Sequence, residues 1–246
     1  MTIALVGYGK MGREIEAVAR ARQILIAKIF TAENNANGAG LTKEALKNVD
    51  VCVEFTTPDS VLGNIDAIAA AGKNVVVGTT GWHDKLADIK QLVKEKKIGL
   101  LYAANFSLGI NLFYHIVTTA AQAFDKFDTY DVVVSEIHHK DKPDSPSGTA
   151  LALGNLIIQS MKRKREILHE TAHVKIKPEQ LHISSARVGN VVGKHSVVFD
   201  SDADSIELVH NAKDRRGFAL GALIAAEWLK GKEGVFTMKD VLNSGI

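Results

Sequence analysis

Cysteine is nearly absent from this 246-residue chain. The single Cys52 allows no intramolecular disulfide, which suits a reducing compartment and a fold that needs no covalent staple. Proline is scarce, with four residues, and no low-complexity segment or internal repeat is present. Neither sign of charge predominates. The 30 Lys and Arg against 28 Asp and Glu leave a net charge of +2, too small to suggest a nucleic-acid or anionic-membrane partner. Long hydrophobic runs are also missing. The longest, Phe218 to Leu229, contains Glu227 and falls short of the ~20 residues of a membrane span. The apolar run Ile3 to Val6 ends at a glycine turn with no basic segment before it, so no secretory signal is expected. What remains is a soluble, cytoplasmic globular protein. Its 46% hydrophobic and 24% charged residues are ordinary proportions, and the length allows one large domain or two modest ones.

The first third alternates short β-branched runs with helical patterns. Strands are expected at Ile3 to Val6, Leu25 to Phe30, Val51 to Phe55, Val75 to Val77 and Gly99 to Tyr102. Between them lie helices led by Met11, by Pro58 and by His83. Strands separated by helices of that length predict a parallel sheet covered on both faces. After Phe106 the pattern changes. Helices are expected over Leu112 to Phe124, Thr149 to Met161, Phe218 to Leu229 and Met238 to Leu242. Strands are expected at Val132 to Glu136, Ile183 to Arg187, Val191 to Phe199 and Ser205 to His210. Successive strands with no helix between them predict an antiparallel or mixed sheet. The basic run Lys162 to Arg165 reads as a solvated helix end.

Gly7-Tyr8-Gly9-Lys10-Met11-Gly12 is a G-x-G-x-x-G that follows the first strand and opens a helix, the context in which this motif binds a dinucleotide. The second strand should end in the residue that reads the adenosine ribose. Glu33 stands at about the expected 20-residue offset with no Arg or Lys beside it, which tilts the expectation towards NADH over NADPH. A solvated loop residue is the alternative reading of Glu33. Further turns after strands of the same sheet carry Phe55, then Gly78-Thr79-Thr80, then Ala103-Ala104-Asn105-Phe106. Ligands of such sheets lie beyond the carboxyl ends of the strands, so these turns should line the nicotinamide side.

The densest segment runs from Glu136 to Thr149 as E-I-H-H-K-D-K-P-D-S-P-S-G-T. Two histidines and Lys142 lead into Ser147-Gly148-Thr149 at a helix start. The free N–H groups of that start, with cationic donors nearby, suit a small polycarboxylate, and His can act as an acid near neutral pH. A zinc site is not expected, because adjacent His138 and His139 on a strand point to opposite faces and no Cys-rich partner completes a site. Ser147 as a plain helix cap is the bland reading.

This segment resembles the signature of the 4-hydroxy-tetrahydrodipicolinate reductase family, also called dihydrodipicolinate reductase: E-x-H-H-x-x-K-x-D-x-P-S-G-T-A, filled at every fixed position from Glu136 to Ala150. The similarity extends over nearly the whole chain. It implies NADH- or NADPH-dependent reduction of a cyclic dicarboxylate on the route to diaminopimelate and lysine. It also implies an α/β fold, with a Rossmann-like parallel sheet in residues 1–106 and 216–246. An inserted α+β substrate and oligomerisation domain, residues 107–215, would build a homotetramer on its mixed sheet. Carried over by residue, His138 is the proton donor and Lys142 the second catalytic residue. His139, Gly148, Thr149 and Arg215 bind substrate. Gly7, Tyr8, Gly9, Lys10, Met11, Gly12, Gly78, Thr79, Thr80, Ala103, Ala104, Asn105 and Phe106 bind cofactor. Ser147 joins the substrate set, and Glu33 and Phe55 the cofactor set, on their own positions in the sequence. With substrate carboxylates beside it, His138 is expected to be held cationic. The Gly loop is one residue shorter than in longer members of the family and the stretch between the second and third strands is abbreviated, which leaves the choice of cofactor open. Two other readings stay open on the residues alone: another NAD(P)-dependent oxidoreductase of a small dicarboxylate, and a non-enzymatic dinucleotide sensor.

Overall fold

Two compact units make up the computed structural model, which describes residues 1–244. The first comprises Met1–Asn111 and the segment from Arg215 onward, and the second Leu112–Asp214.

The first unit is built on a six-stranded sheet of β1 (Thr2–Val6), β2 (Leu25–Phe30), β3 (Val51–Glu54), β4 (Asn74–Val77), β5 (Gly99–Tyr102) and β11 (Gly234–Phe236). The spatial order is β11-β5-β4-β3-β1-β2 and every pairing is parallel. Both faces are covered, which is why the central strands read as unbroken apolar runs. Ile3, Leu5, Val51, Val53, Val76 and Leu101 point to the face packed by α1 (Lys10–Ala21), α6 (Arg216–Leu229) and α7 (Met238–Asn243). Ala4, Val6, Cys52, Val75, Val77 and Leu100 point to the face packed by α2 (Pro58–Ala70) and α3 (Leu86–Lys96). Burial pushes the Cys52 thiol up to about 12, so it behaves as a small apolar core residue.

The second unit holds a five-stranded sheet in the order β10-β9-β6-β8-β7. Its strands are β6 (Asp131–His138), β7 (Glu166–Leu168), β8 (Gln180–Arg187), β9 (Gly193–Asp200) and β10 (Ser205–Ala212). β8 runs parallel to β6 and β7, while β9 runs antiparallel to β6 and β10, so the sheet is mixed. The helices α4 (Leu108–Phe124) and α5 (Gly148–Ser160) supply Val117, Ala121, Leu153 and Ile157 to a core shared with Val134, Ile183, Val197 and Phe199. On the opposite face Ser184 donates to Ser135 at 2.9 Å, and Val209 is exposed.

Three differences from the sequence reading have simple causes. β7 and β11 are three residues each, too short to show alternation. α4 starts at Leu108, four residues before its first strongly apolar stretch, because Ser107 accepts from the Ile110 N–H and Asn111 donates to backbone carbonyls at its start. The basic run is not simply solvated. Lys164 is 2% exposed, donates to the Gln180 carbonyl at 2.7 Å and pairs with Asp131 at 2.6 Å.

Candidate active site

Strand order reverses between β1 and its neighbours β2 and β3, and the glycine motif occupies the turn at that point, where such sheets bind ligands. Gly7 has φ +98°, and a Cβ there would lie 2.0 Å from the Phe55 carbonyl oxygen. Gly12 is buried against Gly7, so a Cβ on it would come within 2.3 Å of the Gly7 carbonyl oxygen. Gly9 caps α1 without a side-chain hydrogen bond, no acidic residue sits in the first turn, and nothing lies within 4 Å of where a Cβ would project. The start of α1 thus has no side-chain cap and borders a cleft at Gly9, Lys10 and Met11, where a pyrophosphate can approach.

Two clefts adjoin this turn. One of about 520 Å³ is lined by Gly7, Tyr8, Gly9, Arg13, Glu33 and Phe55, among others. The other, about 330 Å³, is lined by Gly9, Lys10, Met11 and Phe55 together with Gly78, Thr79 and Thr80. The structure thus brings together residues from four separate turns. Ala103, Ala104 and Asn105 line neither cleft, and the Phe106 side chain is core, 2% exposed with its ring 5.7 Å from that of Phe55. Exposed Glu33 accepts a hydrogen bond from the Thr31 hydroxyl, which holds its carboxyl below the usual range. Sequence adjacency concealed one cation: Arg13, one helical turn into α1, lines the same cleft as Glu33, its guanidinium carbon 5.4 Å from the Tyr8 ring centre. Beneath the clefts lies fully buried Glu54. Burial pushes its carboxyl up, against hydrogen bonds from Thr56, Thr79 and Asn64.

The second unit carries the histidine segment. β6 alternates strictly, so Val132, Val134, Glu136 and His138 all point inward. Glu136 is 1% exposed and lies at the centre of a polar cluster. Its Oε1 accepts from the Ser147 N–H at 2.9 Å and from Arg187 at 3.1 Å, and its Oε2 lies 3.1 Å from His138 Nδ1 and 3.6 Å from His195 Nε2. Burial opposes ionisation of Glu136, but hydrogen bonds from His195 and Ser147 overcome it and hold the carboxyl well below the usual range. For His138, burial pushes the pKa down to about 4. Glu136 opposes that shift, while His195, Lys142 and Arg187 add to it. The unliganded imidazole is therefore neutral at pH 7. A cationic His138 needs the substrate's own charge.

Ser147 does cap α5, accepting from the Ala150 N–H at 3.2 Å, and its hydroxyl also lies 3.3 Å from His195 Nε2. Lys142 donates to Asp144 at 2.6 Å, and the Gly148 N–H addresses the same carboxylate. A Cβ at Gly148 would meet nothing within 4 Å. Thr149 is hydrogen-bonded to Tyr114. His139 follows the end of β6 and is half-buried. Arg215 is the N-cap residue of α6, in the first unit.

Glu136, Arg187 and His195 escaped the sequence reading as site residues, although Glu136 is the first letter of the signature. The available signal was the period of two that puts Glu136 and His138 on one face. Arg187 and His195 come from the neighbouring strands β8 and β9, in register with His138 and Glu136 respectively. The carboxylate and two imidazoles offer ligand atoms within 4.8 Å of one another. Arg187 already supplies the cation that such a set would otherwise take from a metal.

Known proteins resemble this chain over nearly its whole length. A sequence profile described as the dihydrodipicolinate reductase N-terminus matches residues 1–106, and one described as the C-terminus of the same enzyme matches residues 109–242. The chain belongs to the dihydrodipicolinate reductase family. The 4-hydroxy-tetrahydrodipicolinate reductase of Christiangramia forsetii is 40% identical over 99% of this chain and 98% of its own length. That of Neisseria meningitidis serogroup B is 35% identical over 80% of this chain and 74% of its own. Among solved structures, a dipicolinate-bound dihydrodipicolinate reductase from Paenisporosarcina sp. TG-14 superposes with a TM-score of 0.76 at 21% identity, covering 96% of this chain and 97% of that one, and shares the fold. As a member of this reductase family the chain is an NAD(P)H-dependent oxidoreductase.

Proposed function

We propose that this oxidoreductase, whose reaction is the reduction of 4-hydroxy-tetrahydrodipicolinate to tetrahydrodipicolinate in diaminopimelate and lysine biosynthesis, uses His138 as its proton donor and Lys142 as its second catalytic residue. One observation carries the assignment. The Lys142 ammonium donates at 2.6 Å to a single carboxylate, that of exposed Asp144, just before the start of α5, and Lys142 is close enough to His138 for its charge to disfavour the imidazolium. A substrate carboxylate can replace Asp144 on that ammonium. His139, Ser147, Thr149 and Arg215 complete the substrate contacts in this reading.

The residues of the first unit fit a dinucleotide: the open space at Gly9 and the uncapped amides of α1 take the pyrophosphate, and the clefts take its two ends. When bound, the dihydronicotinamide supplies a hydride to an electron-poor ring carbon. The protein's part is to hold the substrate carboxylates at Lys142 and the α5 start, and to deliver a proton from His138. The basic test is loss of NADH absorbance when substrate is generated in situ. Cytoplasmic location and a homotetramer assembled on the open face of the second sheet belong to the same proposal. Light scattering that gives the mass of a single chain would remove the latter.

Substrate binding should take up protons. His138 is neutral above a pH of about 4 in the free protein, and two approaching carboxylates raise its pKa. Calorimetric titration with pyridine-2,6-dicarboxylate near pH 6, in buffers of different ionisation enthalpy, is expected to show net uptake approaching one proton per site, absent in His138→Gln. Equal heats in all buffers would mean that His138 stays neutral and is not the donor.

For the cofactor, Glu33 is proposed as the ribose reader, with NADH used at least as well as NADPH. Glu33→Ala should lower kcat/KM for NADH about 10-fold, the size of one charge-assisted hydrogen bond, and spare NADPH. Arg13→Ala should do the reverse. A wild-type preference for NADPH that Arg13→Ala abolishes would assign the reading to Arg13 instead.

A further inference from the structure

The mechanism above uses His138 but not the buried carboxylate beneath it. Glu136 is fully enclosed, and the Ser147 N–H and Arg187 both serve its Oε1. That leaves Oε2 turned towards His138, 3.1 Å from Nδ1. Among the described residues, both atoms are buried without a formed hydrogen bond, so this 3.1 Å approach is the polar contact that a proton on Nδ1 would complete. The ring's other nitrogen faces a different environment. His138 Nε2 looks onto Gly193, where a Cβ would come within 3.0 Å of it, so the absence of a side chain there is what leaves that nitrogen clear.

The remaining charged and titratable neighbours do not compete for Nδ1. Arg187, on β8, is a cation engaged with Glu136 and with the Asp144 carbonyl. His195, on β9, meets His138 edge to face with ring centres 5.1 Å apart and directs its Nε2 to Glu136 and Ser147. Lys142, in the loop, is paired with Asp144. His210, on β10, lies behind His195 and bears on that residue.

We propose that Glu136 is a positioning residue that selects the reactive nitrogen of His138: its charge holds a proton on Nδ1, so that Nε2 is the atom presented to the substrate. The inference rests on the reading of His138 as proton donor. In the transfer step both ring nitrogens of the imidazolium carry protons. The Nε2–H bond breaks and its electron pair stays on Nε2. The substrate's 4-hydroxyl leaves as water, which puts a C=C bond in conjugation with the ring C=N; the proton then bonds to the carbon of that C=C that becomes electron-rich as its neighbour accepts the hydride, and the imidazole returns to neutral with Nδ1–H still directed at Glu136. Arg187 has a second task in this scheme. By gripping both Glu136 and the Asp144 carbonyl it ties the loop that carries Lys142 to the residue that orients His138.

Long-range proton–nitrogen correlation spectra of protein labelled with ¹⁵N-histidine read the tautomer directly, without cofactor or turnover. At neutral pH wild-type His138 is expected to be the Nδ1–H tautomer, and Glu136→Gln is expected to shift it towards a mixture. In kinetics, the alkaline limb of the kcat profile marks loss of the His138 proton in the complex. Loss of the carboxylate charge should move that limb to lower pH by at least about one unit, the usual effect of a nearby opposite charge. Glu136→Asp, which keeps the charge, should restore the limb. A wild-type Nε2–H tautomer overturns the proposal, as does a folded Glu136→Gln protein with unchanged tautomer and unchanged limb. If Glu136→Gln does not fold, the wild-type spectrum and the Asp variant decide. Failure of the donor reading looks different: His138→Gln then keeps its kcat, whatever the tautomer.

Discussion

Replacing His138 by Gln is expected to lower kcat by about 10²–10⁴-fold, the usual range for loss of a general acid. The variant removes an imidazole that lies on the inward face of β6 and within reach of the Lys142 charge. Glutamine has comparable reach and can still lie against Glu136 and Gly193, so the sheet should keep its register and the melting temperature should change little. NADH affinity should be nearly unchanged, because the glycine turn and both clefts are built from residues of the first unit, whereas His138 belongs to the second. Steady-state kinetics with a direct NADH titration on the same preparation separates the two quantities. A variant with near-normal kcat would reduce His138 to a structural residue of the polar cluster.

Lys142→Ala is expected to lower kcat/KM at least ~10-fold, mainly through a raised KM for the dicarboxylate, while leaving stability within about 1 kcal/mol. The two halves of that statement have separate causes. In the free protein Lys142 spends its ammonium on Asp144, whose side chain is 51% exposed, and ion pairs of that kind contribute about 0–1 kcal/mol. With substrate bound, the same ammonium would meet a carboxylate away from bulk water, where a charge-assisted contact is worth roughly 1.5–3 kcal/mol, or about tenfold and more in binding. Thermal melting and kinetics together decide the matter. Unchanged kinetics would sink the substrate-binding role. A large drop in melting temperature would show instead that the Lys142–Asp144 pair and the Gly148 N–H it shares secure the start of α5.

Both predictions concern residues that the sequence itself singled out, and it is instructive which parts of the molecule it could and could not disclose. The first unit was legible because its signals are local. Short β-branched apolar runs such as Val51-Cys52-Val53, set between helical patterns, read as strands buried on both faces, and they were found so. Gly7 and Gly12 are demanded by contacts within a few residues or with the adjoining strand end. The signature from Glu136 to Ala150 was enough to name the family, since its residue types and spacings recur together. Composition alone excluded a disulfide scaffold. A membrane-spanning helix, excluded the same way, is likewise missing among the described residues, where no helix is long and apolar enough to cross a membrane.

Tertiary structure decided everything that depends on residues far apart in the chain. Arg13 and Glu33 sit in different elements and share a cleft only because α1 and β2 pack side by side on β1. Lys164 looked like one of four solvated cations and is in fact buried against Gln180, since β7 and β8 pair beside it. The protonation state of His138 could not be read from its neighbours in sequence, because it is set by desolvation in the core and by charges arriving from β8 and β9. Glu136 is the clearest case. In the sequence it is one acid at the end of a strand. Only strand pairing delivers Arg187 and His195 to it, and electrostatics in a buried site depends on which charges are close in space, not on which are close along the chain.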